Sequence, residues 1–354
     1  MSRLGVIATG AILAATSQEA RALLTFASPS PLQASTIWRI DPSNSPGPGL
    51  CWSCSTQDTY SWRGGALAES LGQSGSQLGM SGSNDLYIVG AGYLGKLIGK
   101  QWREKFPSAT IYAETRSTTK HEALRNSGLS PTLRGSREEG KRFANVVFCA
   151  APSGNDNYSG EVSAATAEVW DQSGTFVFTS SSGIYAETNG GTVDEESPIA
   201  DSPRAAKLRA AETTCVDAGG SVVRLAGLYS VERGPHNFWL GKEEVQSSPS
   251  GLINLLAYED AAGAVVAALS SRSRGRVFLA ADDSPISRYD ICAAALRHPM
   301  YAGRVMPNFL TLAEGGGDKN KVFDSTVSRR DLSWVPTYAS FKDFIDTNMA
   351  EVID

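Results

Sequence analysis

Three glycines, at 90, 92 and 95, carry the clearest chemistry in this 354-residue chain. They stand in the run Gly90-Ala91-Gly92-Tyr93-Leu94-Gly95, directly after the apolar, β-prone Leu86-Tyr87-Ile88-Val89 and directly before a helical pattern of Leu97, Ile98 and Trp102. Strand, G-x-G-x-x-G and helix in that order are the fingerprint of a dinucleotide site. Gly90 permits the tight turn, Gly92 lets a pyrophosphate approach the backbone, and Gly95 lets the helix lie close to the strand. The N–H groups and positive dipole end of that helix then meet the phosphates. Tyr93 and Leu94, between the glycines, complete this part of the cofactor site.

A second strand, Thr110-Ile111-Tyr112-Ala113-Glu114, runs into Thr115-Arg116-Ser117. An acid at the tip of this strand bonds the ribose 2′-OH of NAD, whereas an arginine beside it accommodates the 2′-phosphate of NADP. Thr115 aligns with the acid's position, Arg116 follows it, and Ser117 adds a hydroxyl donor, so the tip predicts NADP in preference to NAD. A one-residue shift would put Glu114 at the tip and reverse that preference.

These residues need a sheet to position them. Residues 145–151 (NVVFCAA) read as a fourth strand and residues 175–179 (TFVFT) as a fifth, with helical stretches between. Alternating β and α units predict a doubly wound parallel sheet of the Rossmann type. The chain is 41% hydrophobic and 19% charged with a formal charge of -5, which excludes wholesale disorder and a strongly basic nucleic-acid surface. A small molecule is the expected partner, and no nucleic acid. The five cysteines are odd in number and scattered, which argues against a secreted disulfide scaffold. The three histidines, His121, His236 and His298, lack metal-ligand spacing, so no metal is expected.

Residues 1–84 differ in kind: they contain no lysine, are rich in serine, and open on the apolar run LGVIATGAILAAT. That run is too short to span a bilayer but suits the core of a signal sequence, and the Ser/Ala/Pro-rich stretch after it resembles an organelle transit peptide. A presequence of two such parts resembles those of algae with secondary plastids and predicts a plastid protein, with no membrane segment in the mature form. A disordered tail, with a cytoplasmic or mitochondrial location, is the alternative. Cys51 and Cys54 form C-x-x-C, but no strand precedes them, and a loop is the better reading of that pair.

Further motifs follow the fifth strand: Ser180-Ser181-Ser182-Gly183-Ile184-Tyr185, then Ser202-Pro203-Arg204, Val222 to Tyr229, Glu259-Asp260-Ala261-Ala262 and the ending Asp331-Leu332-Ser333-Trp334-Val335-Pro336. Together with the glycine loop they resemble the extended short-chain dehydrogenases/reductases, relatives of the nucleotide-sugar epimerases and dehydratases, and within them an atypical subgroup. The resemblance implies one domain over residues 85–350, with a smaller C-terminal substrate lobe mostly over 227–350. It also implies that Cys149, Ala150 and Ala151 line the cofactor cleft.

Working members of that family use a serine or threonine with a tyrosine and a lysine spaced Y-x-x-x-K. The lysine holds the ribose and lowers the tyrosine pKa, so that the hydroxyl passes a proton as hydride moves. Lys207 stands at the lysine position, but four residues earlier is Pro203, which has no proton to give. Ser181 matches the substrate-binding serine, and Tyr185 matches a tyrosine that normally touches substrate. Two readings result. In one, the protein is an NADP-dependent oxidoreductase or epimerase-like enzyme in which Tyr185, Ser181 and Lys207 converge on the nicotinamide. In the other it is a non-catalytic module that senses NADP(H) or binds a protein.

Overall fold

The computed structural model describes residues 83–310 and 320–350. Apart from Ser83 and Asn84, the stretch read as a presequence, with Cys51 and Cys54, lies outside them.

Seven parallel strands form the central sheet: β1 (Leu86–Val89), β2 (Ile111–Thr115), β3 (Ser130–Leu133), β4 (Asn145–Phe148), β5 (Phe176–Ser181), β6 (Ser221–Leu225) and β7 (Val277–Ala280). Their order across the sheet is β7-β6-β5-β4-β1-β2-β3. The chain therefore builds outward from β1 in one direction, crosses to β4, and builds outward in the other. That reversal opens a crevice at the C-terminal ends of β1 and β4, where such folds bind ligands. Register is fixed by apolar runs buried on both faces: Leu86 pairs with Ile111 on one side and Asn145 on the other, and all four β1 side chains are buried. The edge strand β3 carries Pro131, tolerated because an edge position does not need every N–H.

Helices cover both faces. α1 (Tyr93–Lys105) packs beside α3 (Tyr258–Ser271), and the amide of Gln101 donates to the Glu259 carbonyl at 2.8 Å. On the opposite face, α2 (Pro203–Asp217) packs against the Tyr158–Ala164 helix. α2 starts where it does because the Ser202 hydroxyl accepts from the Ala205 N–H at 3.2 Å and Pro203 occupies the first helical position, where a missing N–H costs nothing.

A second core gathers Tyr229, Trp239, Leu255, Phe341, Phe344 and Ile345. The described residues of the span 227–350, read as a smaller substrate lobe, therefore divide between the two cores. Within that span, α3 and β7 return to the main core, as do Phe323, Leu332 and Trp334. Trp334 is buried with its indole against Gly263 of α3, a helix that covers the sheet. Among the described residues no helix is long and apolar enough to cross a membrane.

Candidate dinucleotide cleft

Two of the glycines are dictated by geometry. Gly90 has φ +86°, and a Cβ there would lie 2.6 Å from the Ala150 backbone, so β1 and the end of β4 approach too closely for any other residue. A Cβ on Gly95 would lie 3.1 Å from the Ile88 side chain, which sets how near α1 lies to β1. Gly92 differs, since nothing stands within 4 Å of where its Cβ would be. Gly92 caps α1 with no side-chain bond, and the first turn of α1 contains no acidic residue. The helix thus presents its N–H groups and dipole to open space, as an anion requires.

Two adjoining cavities share Cys149, Ala150 and Ala151 and form one cleft across the C-terminal edge of the sheet. The first, about 500 Å³, is lined by Gly90, Ala91, Gly92, Thr115, Arg116 and Ser117, and also by Thr119 and Lys120. The second, about 360 Å³, is lined by Leu94, Pro152, Tyr158, Ser180, Ser181 and Arg204, among others. Tyr93 and Gly95 line neither cavity. The Tyr93 ring packs edge-on against Tyr258 at 4.7 Å, with the Arg233 guanidinium 5.1 Å from its centre.

At the tip of β2 the two sequence alignments separate. The Tyr87 hydroxyl donates to Glu114 at 2.9 Å, and Glu114 lines a different cavity, together with Arg134 and Arg137. Thr115 instead faces the cleft. Its hydroxyl donates to the Ser117 carbonyl at 2.8 Å and lies 2.8 Å from Nε2 of the buried His121. A hydroxyl has one proton to give, so here it accepts from His121. Arg116 and Lys120, both exposed, bring two positive charges to this end, and Ser117 and Thr119 bring hydroxyls.

At the other end stand the three residues expected to be catalytic, Ser181, Tyr185 and Lys207, of which Ser181 and Tyr185 line a common cavity. Ser181, whose Oγ accepts from the Gly183 N–H at 3.2 Å, lines the second cavity. The Lys207 ammonium donates to the carbonyl of Pro152, on the same wall, at 3.0 Å. Tyr185 lines the adjoining third cavity together with Ser181, and its hydroxyl accepts from Arg224 at 3.1 Å, with that guanidinium 5.0 Å from its ring centre. Arg224 is held by Glu212 at 2.8 Å and by the Glu195 carbonyl at 3.0 Å. Burial pushes the Tyr185 hydroxyl up to about 12 despite the neighbouring cation. Arg224 is thus paired with Glu212 inside the fold.

Five further groups settle into structural roles. Tyr158 reaches the cleft wall, but its hydroxyl proton goes to the Ala150 carbonyl at 2.8 Å. The Cys149 thiol is pushed up to about 12 by burial and stays protonated. His236 is fully buried in the second core against Tyr301 and Phe341. Glu195 bonds the backbone N–H of Ser328, and Asp194 bonds Ser197, which is capping chemistry.

Sequence reasoning missed Lys120, Ser180, Arg204 and Lys321. Ser180 is 7% exposed and its hydroxyl has no partner among the described residues, yet it lines the second cavity. A buried hydroxyl without a partner is costly, so this one fits a ligand atom that completes it. Arg204 lines both the second cavity and a third, of about 560 Å³, which also contains Ser181, Asn254 and Lys321.

No family model and no curated protein matches the chain. Solved structures do. A functionally unknown conserved protein from Silicibacter pomeroyi aligns with 75% of this chain and 98% of its own at 22% identity and TM-score 0.61. The dTDP-glucose 4,6-dehydratase of Bacillus anthracis, solved with NAD, aligns over 76% of this chain and 96% of its own at 14% identity and TM-score 0.58. The UDP-glucuronic acid 4-epimerase of Bacillus cereus, also with NAD, aligns over 75% and 99% at 17% identity and TM-score 0.56. The seven-stranded parallel sheet and these likenesses agree: the chain has a Rossmann-type fold, which it shares with these epimerase and dehydratase structures.

Proposed function

We propose that the protein binds NADP(H) across this cleft and uses it as an oxidoreductase or epimerase-like enzyme on a small metabolite, without the tyrosine of Y-x-x-x-K. The observation that carries the NADP reading is the strand tip, where Glu114 is held by Tyr87 while Arg116 and Lys120 line the cavity. Two cations and two hydroxyls suit a 2′-phosphate, and among the described residues no carboxylate lines that cavity to accept a ribose 2′-OH. The pyrophosphate fits over Gly92 and the start of α1, and the nicotinamide end fits beside Leu94 and Ser180.

When bound, the dinucleotide supplies or accepts a hydride. The chain's own groups do the rest. Ser181 orients a substrate oxygen, and the Lys207 ammonium, fixed on Pro152, holds positive charge at the same wall. Pro203 supplies no proton, and burial holds the Tyr185 proton by raising its hydroxyl to about 12, so proton exchange falls to solvent at Ser181. That same deficit favours the second reading, a non-catalytic sensor of NADP(H).

Titrating the full chain with NADPH and NADH tests the binding. NADPH binds at least about 10-fold more tightly, and Arg116→Ala removes most of that difference, because a charge-assisted bond to phosphate contributes about 1.5–3 kcal/mol. Equal affinities in the wild type overturn the NADP reading. NADPH oxidation in the presence of a panel of carbonyl compounds separates enzyme from sensor, since the sensor binds without turnover.

A further inference from the structure

The third cavity opens from the nicotinamide end of the cleft. The two share Ser181, Arg204, Ala226 and Gly227, so a molecule whose reacting carbon lies at Ser181 extends past Arg204 into the larger space. Among the described residues the charged side chains lining that space are Arg204, Lys321 and Asp201, and Glu187 acts on Lys321 from beside the wall, so Arg204 is the cation there without a carboxylate bonded to it. Most arginines near carboxylates are neutralised by them: Arg224 by Glu212, Arg134 by Glu161, Arg276 by Asp331 and Arg329 by Asp283. Arg204 has no such partner among the described residues. It sits in the first turn of α2, where the helix dipole gives a cation no benefit. Lys321 is held at the wall by its bond to the Tyr185 carbonyl at 2.8 Å, so its charge is fixed in place.

Resting on the reading of the cleft as a cofactor site, we propose that the substrate is a small metabolite carrying a carboxylate or phosphate group, bound in this cavity by Arg204 and Lys321. The two ends of the site then differ in chemistry. Hydroxyls of Ser180 and Ser181 meet the neutral, reacting end, and cations meet the other end. A guanidinium matches either anion with paired N–H donors. Arg204 is a substrate-positioning residue on this account: it fixes which end of the molecule faces the nicotinamide.

The test uses the full chain saturated with NADPH. Its NADPH affinity is measured first, so that failure of the cofactor reading is seen separately, and saturation keeps the 2′-phosphate end occupied. Inorganic phosphate, malonate and glycerol are then titrated at low salt by calorimetry. At least one anion binds and glycerol does not. Arg204→Ala and Lys321→Met each weaken the anion about 10-fold, as expected for loss of a charged hydrogen bond, while Arg209→Ala on the exposed side of the same helix changes nothing. Tighter binding of phosphate points to a phosphate ester and tighter binding of malonate to a carboxylate. If alanine at 204 lowers stability, Arg204→Gln removes the charge at similar length. The proposal fails if neither anion binds to a chain that binds NADPH, if glycerol binds as well, or if anion binding survives both substitutions.

Discussion

Glu212→Gln tests whether Tyr185 belongs to a buried scaffold or to chemistry. Arg224 and Glu212 are 5% and 4% exposed, and the carboxylate takes bonds from Nε at 3.1 and 3.2 Å and from Nη2 at 2.8 Å. Nη1 divides between the Tyr185 hydroxyl at 3.1 Å and the Glu195 carbonyl at 3.0 Å. A guanidinium cannot shed its proton, so without the carboxylate its charge stays buried among neutral acceptors. Breaking a buried pair from one side costs about 3–5 kcal/mol, and glutamine, which keeps one acceptor, falls at the lower end. Tyr185→Phe removes one acceptor of a charged donor that keeps another, which costs about 1.5 kcal/mol. Urea unfolding followed by the fluorescence of buried Trp102 and Trp170 reads both as midpoint shifts at constant slope. Combining Glu212→Leu with Arg224→Met restores most of the loss, because two apolar groups leave no stranded charge. The reasoning is refuted if Glu212→Gln costs less than about 1 kcal/mol, or if Tyr185→Phe leaves stability intact and abolishes NADPH oxidation.

Other outcomes follow from single sites. Burial raises the Asp282 carboxyl from 3.8 to about 7, and its Oδ2 has no partner among the described residues. The folded state thus holds this proton more tightly than the unfolded one, so the group destabilises the fold increasingly as pH rises from about 4 to about 7. The full penalty applies above that range and is about 4 kcal/mol at most. Asp282→Asn therefore raises the unfolding midpoint at pH 8 and not at pH 4; an equal effect at both would show that burial does not perturb this carboxyl. Gly90→Ala forces a Cβ to 2.6 Å from the Ala150 backbone at φ +86°, so it costs about 1–3 kcal/mol in strain and abolishes dinucleotide binding, read by NADPH titration. Trp334→Ala empties a buried site against α3 and costs about 3–5 kcal/mol by urea unfolding.

The parts legible in the sequence were those fixed by neighbours along the chain. Leu86 to Val89, the three glycines and the start of α1 form one local unit, and their pattern alone implied strand, turn and helix. The strands at 145 and 176 were apolar runs buried on both faces and read equally well. β3 gave little signal, because Ser130 and Pro131 suit an edge that needs no apolar pattern. What escaped was set by partners distant in sequence. Glu114 or Thr115 at the strand tip is decided by Tyr87, 27 residues earlier, which draws the carboxylate aside. The direction of Tyr185 is decided by Arg224, 39 residues later. Arg204 looks like any helical surface cation until the fold sets it on the wall between two cavities.

On the proposed function, the tip of β2 selects NADP(H). The most direct measurement is the ratio of NADH to NADPH dissociation constants for the wild type and for a Thr115→Asp, Arg116→Ala double variant, in the same low-salt buffer. The account predicts a wild-type ratio of at least about 10, and a ratio below one in the variant, which gains an acid for the ribose hydroxyl and loses a cation for the phosphate. A ratio near one in the wild type, or a ratio that the double variant leaves unchanged, would contradict it.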